Sequence, residues 1–349
     1  MSSHSVNIST WLYCDSVGEE SIYSQVGSDS SSFRFQSVYW RCIVVFFASS
    51  IRQNPNANHV LFTNSSDIPD IDGFNTLNFL RKNGVKIVTF PLTYQTPKNY
   101  HEAWRNQFYI FDILEFISNT SEIDDIYIIL DSDCVWVNSA SRIVAEVEKY
   151  GVLTYEHYET PGTNINGLTQ MDMKTIYEEL DHQNLDTVPK YFGGEWFAAT
   201  GKEIQKISAE FNPLWQILMQ RFYNKQLKFN EEAHALSYLY YKLKYLSGSA
   251  NPYFRRIWTS PLCYTATPED STLDVWHLPA EKQYGIRRLF NQIINPASNF
   301  WVIPTGNAFI HYLASYLGIP QRTAHKKVWD WWDDRRSGLQ RRIDSFKLL

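Results

Sequence analysis

The sequence predicts an α/β protein with a mostly parallel sheet flanked by helices, an irregular second half and a helical C-terminal tail. Three observations predict it. Short β-prone runs alternate with helical patterns through the first half, which implies right-handed crossovers and a doubly wound sheet. One run, Ile126–Leu130, is apolar throughout with no polar alternation, the pattern of a strand covered on both faces. The chain has 349 residues of which 44% are apolar, enough to bury a sizeable core around a single sheet.

Taken in order, Ile8–Cys14 is a short strand, and the Ser/Gly-rich, acidic residues 16–32 read as a mobile loop. Ser37–Ile51 is a buried helix. His59–Thr63 is a strand that stops at the turn-forming residues Asn64–Asp67. Asn75–Lys82 is helical, and Gly84 suits a left-handed cap. Val85–Phe90 is a strand stopped by Pro91, and Glu102–Ile117, apolar on more than one face, is a buried helix. After Ile126–Leu130 the regularity falls. Gly151–His157 is a strand, Glu159–Gln170 a loop, Lys174–Leu180 a short helix and Tyr191–Thr200 an extended segment. Lys202–Tyr223 and Glu231–Leu243 are helices. No internal repeat or linker divides the chain.

Composition excludes some partners. The net charge is −5, which disfavours nucleic acid as a partner. From Arg322 to Leu349, however, eight Lys/Arg stand against four Asp, a basic tail on an acidic body. The cysteines at positions 14, 42, 134 and 263 are widely spaced, with neither a zinc pattern nor a disulfide framework, so a reducing, cytoplasmic location is expected. No basic, then apolar, leader opens the chain, and the apolar run Cys42–Ala48 is far short of the roughly 20 residues a membrane span needs.

The most informative segment is the end of the buried strand, where Asp131 and Asp133 follow Leu130. In doubly wound sheets ligands bind beyond the carboxyl ends of the strands. Carboxylates at i and i+2 diverge on a continuing strand, but where the backbone turns both approach one cation. Such oxygen ligands suit Mg²⁺ or Mn²⁺, with diphosphate oxygens and water filling the remaining positions. A bare pair of this kind also caps turns. It fits the opening motif of haloacid-dehalogenase-like phosphatases as well, although there the motif ends the first strand of the core. The late acidic pair here, Asp333-Asp334, sits in a helix-like tail.

With the pair at that strand end, residues 8–285 resemble the GT-A glycosyltransferases, whose core is a Rossmann-like, mostly parallel sheet. Tyr191–Thr200, with Gly193, Gly194 and Glu195, resembles their glycine-containing acceptor-side segment. Asn230–Ser237 is similar to the acidic helix start of the blood-group and α-1,3-galactosyl transferases, with Asn230 and Ala233 where that family has His and Ser. Val275–Lys282 resembles the late His…Lys element of the glycogenin and lipopolysaccharide-galactosyltransferase family, with five residues rather than six from His to Lys and no intervening glycine.

The resemblance implies a division of roles. Asp131, Asp133 and His277 would hold the metal, and Lys282 would reach the diphosphate, with Arg287 as a further candidate. Glu232, then Glu195, would be the carboxylate near the reacting sugar carbon. Arg105, Thr63 and Asn64 are candidate donor contacts, and Tyr13 and Asp15 adjoin the same strand end. The implied reaction is transfer of a hexosyl group, with retention slightly favoured, from a nucleotide sugar (a UDP-sugar favoured) to a glycan or lipid-linked saccharide. Residues 1–300 would form the catalytic domain, with 8–157 binding the nucleotide sugar and 158–300 the acceptor, and 301–349 a helical extension packed on it. In the tail, Val328, Trp332, Leu339, Ile343 and Phe346 recur at helical spacing among basic residues, so packing on the core competes with peripheral contact at the inner membrane face. The alternatives are a phosphatase and a non-catalytic sugar-nucleotide-binding protein.

Overall fold

The computed structural model describes residues 4–23, 25–27, 29–333 and 335. The elements run β1 (Val6–Leu12), α1 (Phe33–Gln53), β2 (Asn58–Thr63), β3 (Asp70–Ile71), β4 (Phe74–Asn75), α2 (Thr76–Lys82), β5 (Lys86–Thr89), α3 (Tyr109–Thr120), β6 (Ile126–Leu130) and β7 (Cys134–Trp136). Then come α4 (Ser141–Tyr150), β8 (Val152–Leu153), α5 (Gln170–Asp181), β9 (Trp196–Thr200), α6 (Gly201–Tyr223) and α7 (Glu232–Lys242). The last are β10 (Phe254–Arg256), β11 (Val275–His277), α8 (Gly285–Ile293), α9 (Asn299–Val302) and α10 (Asn307–Leu317). Residues 324–333 form a further helix.

The central sheet has the order β5-β2-β1-β6-β9-β8. The strands β5, β2, β1 and β6 are parallel, and β9 runs antiparallel between β6 and β8. This is the mixed α/β, mostly parallel architecture expected. Every residue of β6 is buried, and its side chains alternate between two cores. Ile126, Ile128 and Leu130 belong to one core shared with α1, α8 and α10, whereas Tyr127 and Ile129 belong to a second shared with α3 and α6. Burial of such side chains stabilises by about 1.5–3 kcal/mol each, so this strand is a firm base for whatever follows Leu130.

Helix α1 shows how a neighbouring element fixes that segment. Ser32 caps it by accepting from the Phe35 amide, and residues 42–50 are all buried between the sheet and α8. Its C-terminal end is stitched to the chain beyond the acidic pair. The Trp136 amide donates to Ser49 Oγ at 3.1 Å, Gln53 donates to the Val137 carbonyl at 2.7 Å, and the Ala140 amide donates to Asn54 at 2.6 Å.

Several expectations need correction. The helix expected from Glu102 begins only at Tyr109. Trp104 takes a positive φ of 55° and packs edge-on against Tyr23 at 5.0 Å, an aromatic contact that outweighs local helix preference. Strand β8 covers two residues of the expected Gly151–His157. Helix α4 was not expected: only Ile143 and Val147 of it are buried, and no side chain caps it. The loop expected to be mobile is, over its described residues, folded onto Asp15, which accepts from the Ser21 amide, Ser30 and Asn106. No described helix is long and apolar enough to cross a membrane. The tail positions Leu339, Ile343 and Phe346 lie outside the described residues.

Candidate active site

A cleft of about 420 Å³ opens at the carboxyl ends of β1 and β6. Strand pairing explains which residues meet there. Leu130 pairs with Trp196 across the antiparallel β6–β9 ladder, and the Asp131 amide donates to the Glu195 carbonyl at 3.2 Å. A second, three-stranded sheet (order β10-β11-β7) brings in the rest. In its registers His277 lies opposite Cys134 on one side and Arg256 on the other. The Leu278 amide then donates to the Asp133 carbonyl at 3.1 Å.

Asp131, Asp133 and His277 form a candidate metal-ligand cluster, their ligand atoms within 4.8 Å of one another. His277 Nε2 lies 3.7 Å from Asp131 Oδ2 and 3.3 Å from Asp133 Oδ2. Two carboxylates and an imidazole fit a divalent cation such as Mn²⁺. Behind the imidazole, Glu195 Oε1 lies 3.6 Å from Nδ1, longer than a hydrogen bond but close enough to orient the ring. Phe254 stacks on that ring at 5.9 Å and 16°. Glu195 is itself paired with Arg256 Nη2 at 2.7 Å, and Lys282 Nζ is paired with Asp133.

The charges are strongly perturbed. Burial and then the neighbouring Asp133 push Asp131 up to about 6. Burial also opposes ionisation of Asp133, but Lys282 and His277 outweigh it and hold that carboxyl well below the usual range. Glu195 is held low against its burial by Arg256 and His277. Burial pulls His277 down, yet Asp133 and Glu195 raise it to about 9. In its protonated form the ring carries positive charge where a cation would sit, so metal binding would displace a proton.

At the start of α7, Glu231 accepts from Tyr191 Oη at 2.9 Å and from Asn166, whereas Glu232 Oε2 is buried with no hydrogen-bond partner among the described residues. Burial and then the adjacent Glu231 raise Glu232 well above the ordinary carboxylate range. Asn230 does not cap the helix. Its side chain donates to the Asn166 carbonyl at 3.0 Å and accepts from Lys228 at 2.8 Å.

The two glycines before β9 make space for side chains of the site. A Cβ on Gly193 would collide with the Glu195 carboxylate, and one on Gly194 with that of Glu232. Both therefore leave room for protein carboxylates.

The structure therefore gathers Asp131, Asp133, Glu195, Glu232, His277 and Lys282 around one cleft. It does not bring Thr63, Asn64 or Arg105 to the described wall. Thr63 is fully buried, and Asn64 exchanges two hydrogen bonds with the Cys14 backbone, tying the ends of β1 and β2. Arg105 precedes α3 and donates to the Thr96 carbonyl at 3.4 Å. Sequence reasoning missed Arg256, Asn166 and His157, which also line the cleft. Arg256 follows Arg255 in a β-prone run, but only the register says which arginine faces the cleft.

No family model matches the chain, and neither does any curated protein. Among solved structures it is similar to one described as the apo form of the bifunctional glycosyltransferase WbbM. That match has a TM-score of 0.49 and 9% identity, covering 78% of this chain and 45% of that one. The chain thus spans less than half of the WbbM chain.

Proposed function

We propose that the chain is a GT-A glycosyltransferase that uses a divalent cation, Mn²⁺ or Mg²⁺, to move a hexosyl group from a nucleotide sugar, with a UDP-sugar favoured, to a hydroxyl of a saccharide or lipid-linked saccharide. One observation carries this reading: Asp131, Asp133 and His277 converge at the carboxyl end of the central strand, beside a buried Glu232 whose Oε2 has no partner among the described residues.

Asp131, Asp133 and His277 would hold the cation, which when bound would neutralise charge on the departing diphosphate. Glu195 and Arg256 act behind the cation site, orienting His277, so the carboxylate assigned to the sugar is Glu232 rather than Glu195. Lys282 sits on Asp133 and is close enough to turn its ammonium toward diphosphate oxygens entering the cleft. Glu232, costly to ionise in isolation, is stabilised as a carboxylate when positive charge develops at the anomeric carbon. A carboxylate placed beside that carbon favours retention. Residues 1–300 would form the catalytic unit and 301–349 an extension packed on it. The four unpaired cysteines support a reducing, cytoplasmic setting.

The test is a panel of nucleotide sugars with and without Mn²⁺, following donor hydrolysis by the wild type and Asp133→Asn. We expect metal-dependent turnover that Asp133→Asn abolishes. Turnover indifferent to both metal and substitution rejects the metal site. Proton NMR of the first product reads the anomeric configuration, and an inverted product rejects retention.

A further inference from the structure

The short arm from His277 to Gly285 carries two groups of the proposed site, His277 and Lys282, and between them a residue that faces the other way. Pro279–Glu281 is a single 3-10 turn, and successive residues on such a turn diverge by about 120°. Lys282 therefore reaches Asp133 while its neighbour Glu281 points to the back of the site.

The Glu281 carboxylate is 2% exposed and fully engaged. One oxygen accepts from Thr259 Oγ1; the other accepts from the Gly285 amide and from Lys326 Nζ, both at 2.8 Å. Lys326, with no exposed side-chain surface, belongs to the helix over residues 324–333 and also pairs with Asp330 at 3.1 Å. Asp330 in turn pairs with Arg322 at 2.7 Å and with Arg288 on α8.

Two glycines are shaped around this pair. A Cβ on Gly285 would collide with Glu281 and with the Tyr316 carbonyl. A Cβ on Gly318, where φ is +74°, would lie 2.6 Å from Lys326 Cε. A buried ion pair is poor value as stabilisation, since apolar residues of similar volume often do as well. That the backbone is cleared for it twice points to a geometric role.

We infer that Lys326 and Glu281 are positioning residues: His277 is placed by its strand, and through the Glu281–Lys326 pair the C-terminal helix sets the arm beyond it that holds Lys282 on Asp133. The inference rests on the metal-site reading above. Removal of either partner frees the arm, so Asp133 loses the Lys282 partner that orients it, although none of the proposed ligands of the cation has changed. Partners that orient metal ligands are worth about 10–100-fold in metal affinity.

The experiment uses the full chain, with Mn²⁺ titrated by calorimetry into the wild type, Glu281→Gln, Lys326→Met, Lys326→Arg, Thr259→Val and Asp133→Asn. Each is also followed by thermal unfolding and by hydrogen exchange over residues 277–285. We expect Glu281→Gln and Lys326→Met to bind Mn²⁺ at least about tenfold more weakly at temperatures where both are folded, with faster exchange confined to the arm. Lys326→Arg should recover part of the affinity, and Thr259→Val, which keeps the ion pair, should lose less. Wild-type affinity and unchanged exchange in Glu281→Gln and Lys326→Met overturn the inference, as does a lowered melting temperature with unchanged Mn²⁺ affinity. If Lys326→Met fails to fold, Glu281→Gln decides by the same two readouts. Should the wild type bind no Mn²⁺, or bind it as well with Asn at position 133, the metal-site reading fails, and the exchange data still test the arm.

Discussion

Replacing Arg256 by Met separates the two jobs of the residues behind His277. The Arg256–Glu195 pair is 2.7 Å apart, with the arginine side chain 28% exposed and the carboxylate 2% exposed. At an effective dielectric of about 20, the gross attraction at that distance is about 6 kcal/mol, most of it offset by desolvation. Breaking such a pair strands a buried carboxylate at a cost of about 3–5 kcal/mol; partial exposure of the arginine places Arg256→Met near 3 kcal/mol. Met keeps much of the stem volume, so lost packing adds little. The double variant Glu195→Gln/Arg256→Met has no stranded charge and should recover at least half of that loss. Mn²⁺ affinity should follow a different residue. Glu195→Gln and the double variant should both bind about tenfold or more weakly, because the anionic partner of His277 Nδ1 is gone. Urea midpoints at neutral pH and calorimetric Mn²⁺ titrations read the two effects. A single variant costing less than about 1 kcal/mol, or a double variant no more stable than Arg256→Met, refutes the stranded-charge reasoning.

Further outcomes follow from the same geometry. Glu232→Gln should lower turnover about 100-fold while raising the melting temperature near neutral pH. The folded Glu232 binds its proton more tightly than the unfolded side chain, whose value is 4.5. Its stabilising contribution is therefore present below that pH and lost as pH rises, so the advantage of Gln should be absent at low pH and grow upward. An advantage that shrinks as pH rises would falsify the assignment. Gly194→Ala should lower stability by about 1–3 kcal/mol and cut activity with it, because its Cβ meets the Glu232 carboxylate; Gly194→Ala combined with Glu232→Ala should regain the stability. On the helix over 324–333, Val328, Trp331 and Trp332 are 53%, 49% and 62% exposed. If this face meets a membrane, Trp331→Ala/Trp332→Ala should weaken sedimentation with anionic vesicles, and equal sedimentation of both proteins rejects the contact.

Much of the framework was legible because its causes are local. Ile126–Leu130 announces a strand buried on both faces by lacking polar alternation, and the acidic pair follows it directly. Helix α2 declares both ends, with Asn75 capping one and Gly84 at a φ of +75° beyond the other. Glu232 was legible as an acid opening a helix. Where local preference met a competing long-range contact, it misled: Trp104 packs on Tyr23, and the helix expected from Glu102 waits until Tyr109.

The remainder of the site was decided by pairings between distant segments. His277 meets Asp133 only because β11 pairs with β7, and Arg256 faces Glu195 because β10 lies beside β11 in a particular register. A shift of one residue would have turned Arg255 inward instead. Whether Glu195 is free to face the cleft or braces His277 depends on what stands on its other side, and that is Arg256, 61 positions on in the chain. The sequence by itself determined the strand, the acidic pair and the acidic helix start, since each is set by neighbours within a few residues. Tertiary structure alone decided which carboxylates act together, because a buried charge takes its role from the partner that compensates it.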